Sequence, residues 1–324
     1  MKKEYLQLRE KLLFKTPAQE FKAAMENYRT ELGKEFNEAP VKRKEELANI
    51  LSEITIDLQS YLTRWHLQKP GDEKALTTEE IDAEADKNYA LLTSLGYREK
   101  VEKARTEVES IRNSNLVKLS QKADRGILNN RWGNDYASGL TASLRKGGIM
   151  VTTNPQLVNV ARKDNPKHWD KVRDELKAKY PDKSPEELAT LMTMEVVLEN
   201  CREMRPIYEI TKGELGYVSL QVNPKNYTDA DGMVNEAEFI YNQVAKALGG
   251  TPNMIFKVPA TKAALDAVRR LTKKGIGVNV TVNFAAAQEI AFAEAIEEGN
   301  AKVSVLTIMS GRLDDPIRDE LDKM

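Results

Sequence analysis

The pattern that most constrains the fold begins near Gly126. From there on, short apolar runs rich in Val, Ile and Thr are separated by amphipathic stretches of helical length. This alternation is typical of a parallel β-sheet whose strands are connected by helices. The segments that we predict to be strands are 149–154, 216–223, 254–259, 277–283 and 302–308, with a weaker candidate at 127–135. Helices are predicted between them, for instance at 230–248 and 262–274, and a last helix is expected to begin near Asp315.

Residues 1–125 have a different composition. They are dominated by Glu, Lys, Leu, Ala and Arg and contain few Gly or Pro residues, which favours helix throughout. Apolar residues between Leu47 and Trp65 recur at spacings of three and four, as expected for one face of a long helix. The run from Thr77 to Glu80 predicts a helix cap. We therefore predict a helical N-terminal extension over 1–125 and an α/β domain over 126–324.

Charge and composition exclude several classes of function. The chain carries 49 basic and 50 acidic side chains, a balance that does not favour nucleic acid or an anionic membrane as a partner. No apolar run is long enough to span a bilayer and the charged start lacks a secretory signal, so we expect a cytoplasmic protein without a membrane partner. The single cysteine, Cys201, cannot form an internal disulfide, and two histidines are too few for a His-rich metal site.

Polar residues alternate with apolar ones along two of the predicted strands. In 278–283 the valines occupy even positions, while Asn279, Thr281 and Asn283 share the other face. Ser219 and Gln221 repeat this pattern in 216–223. Because ligands bind at the carboxyl ends of parallel strands, the pattern indicates a barrel whose polar inner face lines a site. Polar residues that hydrogen-bond within a core, or a strand exposed to water, remain alternatives.

Lys257 lies in the middle of the apolar strand Met254–Pro259. A buried lysine is costly unless it is neutral, paired or functional. Burial lowers the pKa of an ammonium group and frees an amine to form a Schiff base with a carbonyl. A lysine that reaches solvent or forms an ion pair at a strand end is the alternative explanation.

Four motifs together resemble those of the transaldolase family in order and spacing. They are VTTNP at 151–155, FKVPAT at 256–261, GIGVNVT at 275–281 and SGRLDD at 310–315. The resemblance covers about residues 127–324. It implies an α/β fold, a TIM (β/α)8 barrel of the class I aldolase type, that acts on sugar phosphates without a metal or an organic cofactor.

The resemblance also implies the reaction. Lys257 matches the Schiff-base lysine of the family, which takes a dihydroxyacetone unit from sedoheptulose 7-phosphate or fructose 6-phosphate. The unit then passes to an aldose phosphate such as erythrose 4-phosphate, in the pentose phosphate pathway. By the same resemblance Asn154 and Asn279 bind substrate hydroxyls, Thr281 holds a catalytic water, and Thr307 stands where the family often has a serine near the substrate.

Arg312 matches a phosphate-binding arginine of the family, a surface ion pair with Asp314 or Asp315 being its alternative role. Two positions depart from the family pattern. Gln221 stands where transaldolases usually have a glutamate for proton transfer, and glutamine can orient a water but cannot exchange a proton at neutral pH. Asp135 is the nearest candidate for the catalytic aspartate of the first strand.

Gln221 also resembles the glutamine of fructose 6-phosphate aldolases, so simple aldol cleavage stays open beside transfer, although Asn279 favours transfer. A non-catalytic scaffold with a helical partner-binding region is a further alternative.

A complete barrel takes ~250 residues, more than 127–324 supplies, so we expect a barrel truncated after about six strands. An open doubly wound sheet is the alternative fold, but no Gly-rich phosphate loop follows any strand. The sequence leaves the oligomeric state open, a homo-oligomer included.

Overall fold

The computed structural model describes residues 2–136, 139–309 and 311–324. They form two compact units. The first unit comprises residues 2–134, 139–149 and 209–211, and the second contains the other described residues. Within the described residues, none of the helices combines the length and the apolar character needed to cross a membrane.

Helices make up the first unit. They are α1 (Lys2–Arg9), a π-helical turn (Glu10–Lys15), a 3-10 turn (Ala18–Glu20), α2 (Phe21–Glu38), α3 (Val41–Leu58), a 3-10 turn (Tyr61–Trp65), α4 (Thr78–Ser94), α5 (Arg98–Asn113), α6 (Asn115–Asp124) and α7 (Leu140–Leu144). Thr77 forms the predicted capping box with Glu80 at the start of α4. The apolar residues of α3 from Leu47 to Leu58 are buried, as their helical spacing predicts, but the helix ends at Leu58 and the predicted face continues to Trp65 only as a 3-10 turn.

Five parallel strands form one sheet in the second unit. In chain order, its elements are β1 (Met150–Thr152), α8 (Pro155–Asp164), α9 (Pro166–Lys179), α10 (Pro185–Ile210), β2 (Tyr217–Gln221), a 3-10 turn (Pro224–Asn226), α11 (Ala230–Leu248), β3 (Met254–Pro259), α12 (Lys262–Lys273), β4 (Val278–Asn283), α13 (Ala286–Glu297), β5 (Val305–Ile308) and α14 (Gly311–Leu321).

The strands lie side by side in the order of the sequence, β1-β2-β3-β4-β5. A doubly wound sheet reverses direction within its strand order, whereas a barrel adds each strand beside the preceding one. The observed order is therefore that of a partial α/β barrel and differs from the doubly wound alternative.

The five principal strand predictions agree with the observed strands, apart from one to three residues at the ends. The prediction of a sixth strand at 127–135 is wrong for the described residues, because only Asn134 makes an isolated bridge there. The segment from Asn129 to Asn134 has no alternation of apolar and polar residues and few β-formers, so nothing in it favours a strand. The last helix begins at Gly311, earlier than expected.

Candidate functional site

The register of the sheet brings the polar odd-numbered residues onto one face. Lys257 on β3 pairs with Gln221 on one side and with Asn279 on the other. Ser219 lies two residues before Gln221 on β2 and therefore on the same face. Its hydroxyl contacts the side chain of Asn279 across β3. Strands two positions apart are separated by ~9.5 Å, so these short side chains can meet only if the sheet is concave on this face.

Lys257 is the chemically distinctive group of the concave face. Its neighbours Phe256 and Val258 are fully buried on the opposite side of the strand, while Lys257 itself is half-buried. Burial lowers the pKa of Lys257, Asp135 raises it, and Arg312 lowers it, with a lowered pKa as the result. Among the described residues, no carboxylate lies within ion-pairing distance of Lys257. The lowered pKa shifts this amine toward its neutral, nucleophilic form.

The amide of Asn279 is engaged by neighbouring side chains at both ends. Its Nδ2 donates to Ser219 Oγ at 3.2 Å, and Thr307 Oγ1 on β5 donates to its Oδ1 at 2.7 Å. Thr281 lies two residues farther along β4, and its hydroxyl donates to Met309 Sδ at 3.2 Å. Five predicted site residues thus lie on one face of the four neighbouring strands β2 to β5: Gln221, Lys257, Asn279, Thr281 and Thr307.

The remaining predicted site residues flank the carboxyl ends of the strands. Asn154 caps α8, its Oδ1 accepting the backbone N–H of Leu157 at 2.9 Å. Asp135 is exposed and accepts a hydrogen bond from the Thr152 hydroxyl on β1, although it lies outside any strand.

Arg312 is exposed on α14 and lies close enough to Lys257 to affect its pKa. The surface ion pair considered for it is absent among the described residues, since Asp315 pairs with Arg318 instead. Ser310, the first residue of the SGRLDD motif, lies outside the described residues.

Side-chain hydrogen bonds connect the loops that follow β2, β3 and β4. Thr261 Oγ1 donates to the carbonyl of Tyr227 at 2.7 Å. Gln288 Nε2 donates to the carbonyl of Ala260 at 3.2 Å, while its Oε1 accepts the backbone N–H of Phe284 at 3.1 Å. Because these bonds connect successive loops, they brace the edge of the sheet on which Lys257 lies.

Two polar residues near this edge, Ser219 and Glu236, are not among the predicted site residues. Ser219 belongs to the odd-numbered polar set of β2, so its parity was a signal for it. Glu236 on α11 accepts the backbone N–H of Asn223 at 2.8 Å, and burial raises the pKa of this carboxyl. No periodicity in the sequence indicates the contact of Glu236, because it joins a helix to a loop.

The ends of β4 and β5 are irregular. The register between them shifts between Val280 and Asn283, and Val282 has a φ of 64°. A β-branched residue rarely adopts this left-handed conformation, so the backbone is strained one residue after Thr281.

His, Cys, Asp and Glu side chains are not clustered as metal ligands in the described residues, and the single cysteine is buried. No group of three His, Cys, Asp or Glu side chains is arranged there to hold a metal ion. Burial raises the pKa of Cys201 to about 12, which keeps the thiol protonated and unreactive.

Comparison with known proteins identifies similar sequences. The family model for Transaldolase/Fructose-6-phosphate aldolase matches residues 142–324, more than half of the chain. A transaldolase of Neisseria meningitidis serogroup A is 34% identical over 166 residues, covering 51% of this chain and 45% of that protein. A transaldolase of Trichodesmium erythraeum is 30% identical over 196 residues, covering 57% and 50%. A transaldolase of Helicobacter pylori is 27% identical over 175 residues, covering 54% and 52%. The chain spans about half the length of the curated relatives it matches.

Proposed function

Because the chain belongs to the transaldolase/fructose-6-phosphate aldolase family, we propose that it is a transaldolase. It would transfer a dihydroxyacetone unit from a ketose phosphate, sedoheptulose 7-phosphate or fructose 6-phosphate, to an aldose phosphate. The observation that carries this proposal is the half-buried amine of Lys257, with its lowered pKa, between Gln221 and Asn279. In this proposal the transfer reaction belongs to the pentose phosphate pathway and takes place in the cytoplasm.

The first step joins Lys257 to the substrate. The neutral Nζ attacks C2 of the ketose phosphate, and loss of water leaves an iminium. The C3–C4 bond then breaks, its electron pair flows into the iminium to form an enamine, and the C4 hydroxyl loses its proton as an aldehyde leaves. The enamine adds to the acceptor aldehyde by the reverse of these steps, and hydrolysis of the new iminium restores the lysine.

The other residues of the concave face bind and orient in this scheme. Asn154 and Asn279 hydrogen-bond the dihydroxyacetone hydroxyls, with Thr307 beside Asn279. Thr281 and Gln221 orient water near Lys257, and Asp135 exchanges protons. Arg312 binds the phosphate, since a guanidinium matches phosphate oxygens through paired hydrogen bonds.

Aldol cleavage without transfer is the second candidate, and Gln221 is the observation that favours it. In register with Lys257, this side chain can orient a water but cannot carry its proton. Both reactions begin with the same Schiff base, so they differ only in what the enamine meets next. Cleavage releases dihydroxyacetone after a proton is added, whereas transfer requires an acceptor aldehyde.

Reductive trapping tests the proposal. We expect borohydride to fix a covalent adduct on Lys257 when the chain is incubated with fructose 6-phosphate, as detected by peptide mass spectrometry. Lys257→Met should abolish the adduct, whereas Lys262→Met, which removes an exposed lysine of α12, should leave it unchanged. An unlabelled Lys257 would reject the enzymatic proposal and favour the scaffold alternative.

The same incubation separates transfer from cleavage. If release of glyceraldehyde 3-phosphate continues beyond one equivalent per chain only when erythrose 4-phosphate is added, the reaction is transfer. Release at an equal rate without the acceptor indicates cleavage.

A further inference from the structure

The two hydrogen bonds of Asn279 distinguish the ends of its amide. The contact with Thr307 is 2.7 Å long, the usual O–H···O distance, and the contact with Ser219 is 3.2 Å, within the N–H···O range. The carbonyl end therefore faces Thr307 and the NH2 end faces Ser219. Ser219 and Asn279 are 0% and 1% exposed, so solvent does not compete for these bonds.

An NH2 group has two protons, and Ser219 takes only one of them. Thr307 occupies one acceptor site of the carbonyl, and the donor that Asn279 can still offer is its second N–H. We propose that Ser219 is a positioning residue that fixes this orientation of Asn279, so that the amide presents a donor to the ligand held at Lys257. The matching ligand group is an oxygen acceptor, such as a sugar hydroxyl or carbonyl.

The position of Ser219 explains why it has this role. Ser219 pairs with Ile255, two residues before Lys257 on β3. Asn279 pairs with Lys257, so the hydrogen bond between Asn279 and Ser219 crosses β3 from the level of Lys257 to that of Ile255. Loss of the hydroxyl would leave a buried N–H without an acceptor, and only the carbonyl end of the amide would still be held, by Thr307.

The chain offers a matched control for this hydroxyl. Ser304 Oγ also accepts one N–H at 3.2 Å, from the backbone of Val278. Ser304 precedes β5, at the amino end of the sheet and away from the residues of the site. Ser219→Ala and Ser304→Ala therefore remove the same atom and the same type of contact, and Ser219→Thr restores a hydroxyl at the first position.

Two measurements on the full chain test the inference, which rests on the proposed function. The first is the fructose 6-phosphate concentration that half-saturates the borohydride-trapped adduct. The second needs no sugar: the hydrogen-exchange rate of the Asn279 side-chain amide by 15N NMR, the signal being assigned by its loss in Asn279→Ala.

We expect Ser219→Ala to raise both quantities by about tenfold, the effect of losing one net hydrogen bond, and Ser219→Thr to recover most of the loss. Ser304→Ala should stay within about twofold of the wild type in both. Equal losses in the two alanine variants would overturn the inference, as would an adduct that forms normally although the amide exchanges faster.

Failure of the proposed function gives a different result. If the wild type forms no adduct, that proposal falls, and amide exchange alone decides whether Ser219 orients Asn279. Unchanged exchange in Ser219→Ala overturns the inference in every case.

Discussion

Buried charge is arranged differently in the two units. In the first, Arg145 is buried and donates from Nε to Asp57 at 2.7 Å, from Nη1 to Glu107 at 2.7 Å and from Nη2 to Glu53 at 2.6 Å. Asp57, fully buried, also accepts the hydroxyl of Tyr5 at 2.6 Å. In the second unit, half-buried Lys257 has no such carboxylate among the described residues.

This difference separates a structural role from a chemical one. A buried charge that is paired and hydrogen-bonded has its desolvation cost offset, and it holds its helices in one arrangement. Burial of an amine without a partner costs stability but lowers its pKa, which is useful only for chemistry. The contrast therefore supports a site at Lys257 and a structural role for Arg145.

The largest expected effect is on the stability of the first unit. Arg145→Met leaves Asp57 buried without its cation, and we expect the free energy of unfolding to fall by about 3–5 kcal/mol. Urea denaturation followed by far-UV circular dichroism measures the change. Lys103→Met, which breaks the exposed pair with Glu99 on α5, should leave it unchanged within the error of the measurement. Similar effects of Arg145→Met and Lys103→Met would mean that the buried charges around Arg145 stabilise the first unit no more than an exposed ion pair does.

At the candidate site we expect a smaller change in the free energy of unfolding, and of opposite sign. Lys257→Met removes a half-buried amine and keeps an unbranched side chain of similar length, so the free energy of unfolding should rise by about 1 kcal/mol. The same denaturation experiment measures it. A clear loss of stability would mean that the amine makes a stabilising contact and would contradict the comparison.

The smallest effect is on the pH dependence of adduct formation. The reaction needs the neutral amine, so its rate should rise with pH through the pKa of Lys257. Asp135 raises this pKa and Arg312 lowers it. Asp135→Asn should therefore shift the rate profile to lower pH and Arg312→Gln to higher pH, each by less than about one unit because both groups are exposed.

The rate of borohydride trapping measured across pH gives these profiles. Arg318→Gln, which removes an arginine of α14 that pairs with Asp315, serves as the control and should leave the profile in place. Shifts in the same direction for Asp135→Asn and Arg312→Gln would contradict the electrostatic account of the site.

Much of the fold was predictable because its signals are local. The period-two alternation of 278–283 and the helical spacing of 230–248 are properties of neighbouring residues, and both segments adopt the expected structure. The segment 127–135 carries no such signal, and its weak strand prediction was wrong for the described residues. Gln221, Lys257 and Asn279 could be assigned to one face from parity, although parity does not reveal their hydrogen-bond partners.

The pattern of amino acids specifies the alternation of strands and helices, the family, and the unusual lysine at the centre of β3. Each of these depends on residue types at short spacing. Folding of the chain is what brings Ser219 and Thr307 to Asn279 and Arg145 to Asp57. These contacts join residues 60, 28 and 88 positions apart. Their geometry depends on strand register and helix packing, which no local pattern of side chains specifies.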